Sequence, residues 1–410
     1  GGERTASSCL LQVQGVRGTA SSPSREDLEA APAEHTGASL QEAGRRLSQQ
    51  ELVEQVLVGN YQNEAVRGQW AEFQQETARN LTALATHSER KPFRVLFVTY
   101  VNNVEAVADM WGENIRKLKG AAAGDHFDFA FFHYDGNNSA YRGRDWYRLP
   151  AIKIRHLGVG CSPQFWQMLN VSLVRSYDYV WLCDGDMHLG FFSWELYRNI
   201  LARLRPIVSQ PAILPSGPPS PIPRRASDVD VVNMQWNLKG SEAVLVREGE
   251  RSEVMTPVLS ARLWPAFHAR LAGNDLHDGW FQDAFWDSVA LASKASCNAT
   301  GVAIVDASPM RHLDFRTMRT EQGQSANCTC GAPEAFTQSN RPVRLPVLEL
   351  MADALDGTCQ QARGLLRTYN GQPIEEVANG LLSSLRNGYG RWSLADLAGH
   401  GRRSNGEPAS

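Results

Sequence analysis

Hydrophobic positions divide the chain into a helical segment followed by alternating strands and helices. Between 39 and 87 apolar residues recur at spacings of three and four, which predicts an amphipathic helix. Short β-branched and aromatic runs then predict buried parallel strands. The predicted strands are 94–100, 126–134, 151–155, 177–183 and 302–305, and the predicted helices are 104–119, 162–176, one near 259–271 and one near 280–294. This alternation predicts an α/β fold with a doubly wound, Rossmann-type sheet.

The flanking segments differ in composition from this α/β region. Residues 1–38 are rich in Ser, Gly, Ala and Pro and predict a disordered leader or stem. Residues 39–90 form either a stem helix or a helix that packs on the main domain, which we place at 91–320. A Cys-containing helical extension over 321–390 and a flexible tail over 391–410 complete the predicted organisation.

Composition narrows the class of protein. Hydrophobic residues make up 42% and charged residues 21%, which excludes wholesale disorder. A net charge of -3 argues against non-specific nucleic-acid binding. No apolar run is long enough to cross a bilayer, and only an N-terminal anchor upstream of Gly1 would attach the protein to a membrane. Residues 206–223 hold seven prolines in eighteen residues and predict a surface loop or lid.

Cysteines and glycosylation sequons bear on the compartment. Four of the seven cysteines lie between 297 and 359, which suits two local disulfides. Asn-x-Ser/Thr sequons begin at five positions, Asn80, Asn137, Asn170, Asn298 and Asn327. Together they predict a protein of the secretory pathway, the alternative being scattered thiols in a cytosolic protein.

The most informative residues are Asp184-Gly185-Asp186, directly after an apolar predicted strand. Open α/β sheets bind ligands at the carboxyl ends of their strands. Two carboxylates on one turn repel each other unless a hard cation lies between them, and Gly185 permits close backbone approach. A transferase that uses a nucleotide sugar needs this arrangement, because Mg²⁺ or Mn²⁺ neutralises the leaving diphosphate. The alternative is a solvated turn.

Two downstream residues extend this hypothesis. Asp283 stands at the start of a predicted helix and is a candidate base for an acceptor hydroxyl. His312 follows a late strand and is a candidate to complete a metal shell with Asp186 and diphosphate oxygens. The alternatives are a helix N-cap for Asp283 and an ordinary surface histidine for His312.

With these residues the sequence resembles glycosyltransferases of the GT-A type. More narrowly, it resembles a plant and algal family of uncharacterised glycosyltransferase-like proteins, some labelled as lysine-ketoglutarate-reductase trans-splicing related. The resemblance covers about 93–318. The matching pieces are 131–136, 177–186, 209–212, 255–260, 274–276 with Gly279, Trp280 and Asp283, and 305–306 with His312. The chain departs from the family at Gly185, where an acid is usual, and at Asp278, where His is usual.

The resemblance implies a GT-A-like mixed, mostly parallel sheet and a metal-dependent transferase of the Golgi lumen. It would move a sugar from a nucleotide-sugar donor to a hydroxyl of a glycan or another acceptor, with Mn²⁺ or Mg²⁺ bound. Asp283 as the base implies inversion at the anomeric carbon. The implied metal residues are Asp184, Asp186 and His312, and the implied nucleotide-pocket residues are Thr99, Tyr100, Asn102, Asn103, Asp135 and Asp184.

Three questions stay open at this point. A catalytically degenerate fold that binds carbohydrate or acts as a scaffold would carry the same motifs. A haloacid-dehalogenase-type phosphatase also uses Asp-x-Asp, but there a Thr normally follows the second Asp by two residues, where this chain has His188. Trp280, Phe281 and Trp286 either stack on sugar faces or belong to the core. The sequence predicts neither the sugar nor the oligomeric state.

Overall fold

The computed structural model describes part of the chain. The described residues are 45–48, 51–52, 55–56, 63–121, 124–214, 245–249, 252–272, 286–287, 289–290, 294, 300–313 and 391–392. All but residue 45 belong to the unit that spans 46–410. The predicted helix 280–294, except for short pieces, and the predicted extension 321–390 lie outside these residues. Among the described helices, none has the length and apolar character needed to cross a membrane.

The elements alternate as the hydrophobic pattern predicts. The helices are α1 (Glu64–Leu84), α2 (Glu105–Ala121), α3 (Ser139–Arg142), α4 (Ser162–Gln167), α5 (Val171–Val174), α6 (Trp194–Leu204) and α7 (Trp264–Ala272). The strands are β1 (Arg94–Val101), β2 (His126–His133), β3 (Ile152–Leu157), β4 (Tyr179–Asp184), β5 (Met187–His188), β6 (Val208–Leu214), β7 (Val246–Gly249), β8 (Val258–Ser260), β9 (Val302–His312) and β10 (Arg391–Trp392).

The strands form one mixed sheet in the order β10-β7-β9-β6-β8-β4-β1-β2-β3, with β5 paired to β9. Strands β4, β1, β2 and β3 run parallel to one another, and β6 runs parallel to β9. Strand β8 lies antiparallel between β4 and β6. The mostly parallel α/β sheet is confirmed. From β1 the chain first adds β2 and β3 on one side of the sheet and then returns to add β4 on the other side. At such a point the connections leave β1 and β4 in opposite directions, which in open α/β sheets opens a crevice at the carboxyl ends of the two strands.

Helix α1 packs along the sheet domain. Its N-cap residue Asn63 accepts a hydrogen bond from Ala65 N at 2.9 Å, and its buried stripe includes Trp70 and Phe73. Gln74 Nε2 donates to the carbonyl oxygens of Phe191 and Ala307, at 2.8 Å each. These contacts are those of a packing helix rather than of a free stem.

Three local predictions were wrong. Residues 208–214 of the proline-rich segment form the buried strand β6 instead of a surface loop. Pro211 is tolerated there because the β6–β9 register shifts between Pro211 and Ile213, and a bulge does not need the missing N–H. The predicted helix 162–176 is divided into α4 and α5 at Asn170, which caps α5. The predicted helix 259–271 begins only at Trp264, after strand β8.

Candidate functional site

The candidate site lies where β1 and β4 end side by side. Tyr100 and Asp184 are register partners, and the Tyr100 hydroxyl donates to Asp184 Oδ1 at 2.5 Å. Burial, and then the neighbouring Asp184 charge, raise the pKa of Tyr100 well above its ordinary value, so it stays a donor. The sequence did not predict this bond, because β1 and β4 are distant in the chain.

Steric contact with β1 explains why position 185, the middle of the Asp-x-Asp motif, is a glycine. A Cβ atom at this position would overlap the carbonyl oxygen of Tyr100 at the end of β1. The Gly185 carbonyl in turn accepts a hydrogen bond from Trp111 Nε1 at 2.9 Å. The close approach predicted for Gly185 is therefore made to the neighbouring strand. Asp184 and Asp186 are fixed on either side of it.

His312 lies next to Asp186. Strand β5 follows the motif and pairs antiparallel with the end of β9, so that Met187 is opposite His312. Leu313 N also donates to the Asp186 carbonyl oxygen at 2.9 Å. As a result His312 Nε2 lies 3.2 Å from Asp186 Oδ2, with 13% and 8% of the two side chains exposed. The structure thus brings together the two residues on which the sequence-based metal hypothesis depends.

The carboxylates of the motif repel each other. The pKa of Asp184 is raised to about 7, first by burial and then by the charge of Asp186. The hydrogen bond from Tyr100 and the charge of His312 act in the opposite direction, and the charge of Glu253 raises the pKa further. A bound divalent cation would remove this repulsion.

The donor set fits Mn²⁺ or Mg²⁺. Carboxylate oxygens and an imidazole nitrogen are the ligands that such hard to borderline ions accept. Among the described residues, no group of three or more His, Cys, Asp or Glu side chains is arranged to hold a metal ion. A cation on Asp186 and His312 would therefore need further ligands, which diphosphate oxygens and water can supply.

Helix α2 fixes the segment that follows the motif. Asn114 is 1% exposed; its side-chain nitrogen donates to Met187 O and its oxygen accepts from Leu189 N, both at 2.9 Å. One turn later, Lys117 Nζ donates to Gly190 O at 2.7 Å. The sequence did not predict this role of Asn114, whose only signal is the helical spacing of polar residues on the inner side of α2.

The predicted nucleotide-pocket residues are placed in different surroundings. Thr99 is 0% exposed and lies inside the sheet, so it does not line an open pocket. The Asp135 carboxylate accepts the backbone N–H groups of Asn103 (2.6 Å) and Asn137 (3.0 Å), and Asn103 Oδ1 accepts from Ala140 N. The side chains of Asp135 and Asn103 therefore hold the backbone of the loops that follow β1 and β2.

Asn102 shares one feature with Thr99. The Asn102 side-chain oxygen and the Thr99 hydroxyl oxygen are both buried and make no hydrogen bond to the described part of the chain. The backbone carbonyl of Asn102 accepts from the Tyr141 hydroxyl at 2.9 Å.

A further carboxylate lies beside the motif. Glu253 is half-buried on the segment that precedes β8. Two residues later, the Met255 carbonyl accepts from Asp184 N at 2.8 Å. No motif marks Glu253 in the sequence, which is why it was missed.

Asp283, Trp280 and Phe281 lie outside the described residues. Trp286, three positions after Asp283, is 0% exposed and donates from Nε1 to Ser252 Oγ at 2.7 Å. Of the two alternatives for this aromatic residue, the structure shows a core residue.

Comparison with known proteins identifies a family and no activity. A family model described as "Protein of unknown function (DUF707)" matches residues 71–343, about two thirds of the chain. This range contains the segment 93–318 that carries the resemblance described above. Curated proteins give no match. The chain therefore belongs to the DUF707 family.

Proposed function

We propose that the protein is a metal-dependent glycosyltransferase that binds a nucleotide-sugar donor in the crevice between β1 and β4. The observation that carries the proposal is the 3.2 Å contact between His312 Nε2 and Asp186 Oδ2 at the end of the Asp-x-Asp motif. Two residues remote in sequence supply oxygen and nitrogen ligands there, and Asp184 adds a second carboxylate.

The residues of the chain have distinct roles in this proposal. Asp186 and His312 would hold the cation, and such a cation would supply charge neutralisation at the leaving diphosphate. Tyr100 orients Asp184 through its 2.5 Å hydrogen bond, and Asp184 would contact the donor ribose or, through water, the cation. Asp283 stays the candidate base that takes the proton of the acceptor hydroxyl as this oxygen attacks the anomeric carbon, with inversion.

A secretory compartment, the Golgi lumen, fits two observations. Asn80, Asn137 and Asn170, the first residues of three sequons, are exposed. Cys161 forms a disulfide, and since Cys183 is a free thiol, the partner of Cys161 lies outside the described residues. Disulfides persist in oxidising compartments.

A second candidate function is a binding or scaffold protein with a degenerate site. It is favoured by the direct pairing of His312 with Asp186 and by the lack of a three-ligand cluster among the described residues. The phosphatase hypothesis is weaker. Its nucleophile would be Asp184, which is already hydrogen-bonded by Tyr100, and position 188 is His.

Donor binding and turnover separate these functions. Purified protein is incubated with Mn²⁺ and a panel of nucleotide sugars, and the melting temperature and the release of nucleoside diphosphate are measured. If the protein is a transferase, the melting temperature should rise in a metal-dependent way and nucleoside diphosphate should be released. Both effects should be lost in Asp186→Asn. They should be kept in the control Asp145→Asn, which changes an exposed residue of the 3₁₀ turn 145–148. Binding without turnover supports the degenerate site, and phosphate release from a phosphoester without a sugar donor supports the phosphatase.

A further inference from the structure

Exposure separates the asparagines of the protein according to their sequence context. The described residues include nine asparagines, of which three begin an Asn-x-Ser/Thr sequon and are exposed: Asn80, Asn137 and Asn170. Of the six without a sequon, only Asn63 is exposed. The other five are buried or half-buried, namely Asn102, Asn103, Asn114, Asn138 and Asn199. The three sequons therefore lie where a bulky surface group can be attached.

None of the three exposed sequon asparagines uses its side-chain nitrogen in a hydrogen bond to the described residues. Asn170 Oδ1 caps α5 and accepts from the backbone nitrogen of Ser172 at 2.7 Å and from its hydroxyl at 2.5 Å. Asn137 Oδ1 accepts from Ser139 N at 3.0 Å. The Asn80 side chain makes no hydrogen bond to the described part of the chain. The fold therefore leaves the three amide nitrogens, the atoms that N-glycosylation substitutes, without a role of their own.

Most asparagines without a sequon differ in this respect. Four of them donate from the side-chain nitrogen to a partner in the fold: Asn103, Asn114, Asn138 and Asn199. The Asn114 nitrogen, for example, donates to Met187 O at 2.9 Å, and with 1% of its surface exposed this residue has no room for a glycan. A glycan on Nδ2 of Asn170, by contrast, leaves Oδ1 in place, so the cap of α5 is kept.

We propose that N-linked glycans are attached to Asn80, Asn137 and Asn170. In this reaction the Nδ2 atom attacks the anomeric carbon of an oligosaccharide that is linked to a lipid through a diphosphate. The N–C bond forms as the C–O bond to the diphosphate breaks, and the nitrogen loses one proton. The inference rests on the proposed secretory compartment, in which such donors act, and it does not depend on the transferase activity.

Isotope labelling of the protein purified from its native cells tests the three sites. An amidase that removes N-glycans in heavy-oxygen water converts each glycosylated asparagine into an aspartate that carries the heavy isotope, which peptide mass spectrometry detects. We expect the label at Asn80, Asn137 and Asn170 and none at Asn63, the exposed asparagine without a sequon. An unlabelled peptide at one of the three sites overturns the assignment of that site, and unlabelled peptides at all three overturn the inference.

Three variants remove the sequons and keep the hydrogen bonds of the fold. Asn137→Asp and Asn170→Asp retain the accepting oxygen, and Asn80→Gln affects no described bond. Each should lower the mass of the intact protein by one glycan. The control Asn63→Asp keeps the oxygen that caps α1 and should retain every glycan. A sequon variant with the full glycan mass of the wild type contradicts the proposal at that position.

The outcomes separate the glycan sites from the transferase proposal. A glycosylated protein that binds no nucleotide sugar with Mn²⁺ supports the glycan sites and contradicts the transferase. A protein that releases nucleoside diphosphate from a nucleotide sugar but carries no glycan overturns the glycan sites and leaves the transferase standing.

Discussion

At the scale of single residues, Gly185 shows how the site depends on shape. Its Cα faces the Tyr100 carbonyl so closely that no side chain fits without moving β1 away from β4. We expect Gly185→Ala to lower the free energy of unfolding by about 1–3 kcal/mol, the usual cost of overpacking. Chemical denaturation measures the change.

A second glycine provides the control. Gly68 lies in α1 with open space around its Cα. Gly68→Ala should stabilise the protein by up to about 1 kcal/mol, since alanine favours the helix. A Gly185→Ala variant as stable as Gly68→Ala would contradict the close approach of the two strands.

The buried His133 gives a pH-dependent contribution to stability. Burial, with a smaller effect of His156, lowers its pKa from 6.5 to about 4, so the unfolded chain takes up the proton first. The contribution of His133 is fully present above pH 6.5 and is lost as pH falls towards 4. Between pH 7 and pH 5 it should fall by about 2 kcal/mol. Unfolding curves at both pH values measure the change.

The matched variant is His133→Gln, which keeps a polar group near the Tyr147 hydroxyl that His133 Nε2 contacts at 2.7 Å. Other groups titrate in the same range, so the difference between the two proteins is the quantity to compare. A wild type and a His133→Gln variant with the same pH dependence would contradict the lowered pKa.

The residues of the candidate site could be predicted only in part from the sequence. Asp184, Asp186 and His312 could be named from the sequence because acids after an apolar strand and a late histidine are local patterns. Tyr100 was named only as a residue of the nucleotide pocket. Its hydrogen bond to Asp184, and that of Asp184 N to the Met255 carbonyl, could not be predicted, because they depend on strand neighbours that only the folded sheet defines.

At the scale of elements, α2 links the two halves of the site. It begins just after β1 and holds the segment after the Asp-x-Asp motif through Asn114. Asn114→Ala leaves two buried backbone groups without partners and should cost about 2–4 kcal/mol. The Leu189 amide should also lose protection from hydrogen exchange.

Lys117→Met tests whether any change on this face of α2 has the same effect. Its bond to Gly190 O is exposed, so its loss should cost about 1 kcal/mol or less. Equal effects of Asn114→Ala and Lys117→Met would contradict the role of Asn114 in holding this segment.

Elements with a clear hydrophobic pattern were predictable, whereas strands that depend on their pairing partner in the sheet were not. β1 to β4 were found close to their observed bounds because they are short runs rich in β-branched or aromatic residues. β6 was missed because Pro206, Pro211 and Pro215 bound or interrupt it, and only the register shift opposite β9 explains how Pro211 fits. β5 has two residues and exists only because it pairs with β9.

At the scale of the whole molecule, the strand order explains why the residues of the candidate site lie together at one edge of the sheet. The α/β pattern predicts a doubly wound sheet with its ligand-binding edge at the carboxyl ends of the strands, whereas the strand order and the return of β9 to β5 could not be predicted. That return brings His312 to Asp186.

Cysteine chemistry tests the arrangement of the whole chain. Alkylation of the denatured, unreduced protein should label Cys183 and not Cys161, since Cys161 is in a disulfide and Cys183 is a buried free thiol. Reduction before alkylation should label both. Peptide mass spectrometry reads the result, and labelling of Cys161 without reduction would contradict the disulfide.

The central claim is that Asp186 and His312 bind one divalent cation. Its most direct measurement is pulsed electron paramagnetic resonance of Mn²⁺ bound to the protein with a nucleoside diphosphate. We predict nitrogen coupling from an imidazole ligand that disappears in His312→Gln. Loss of a residue that only supports a metal ligand typically weakens metal binding about 10- to 100-fold. Because Asp186 would be a ligand itself, Asp186→Asn should weaken Mn²⁺ binding by more than this. A spectrum without nitrogen coupling, together with unchanged Mn²⁺ affinity in Asp186→Asn, would contradict the account.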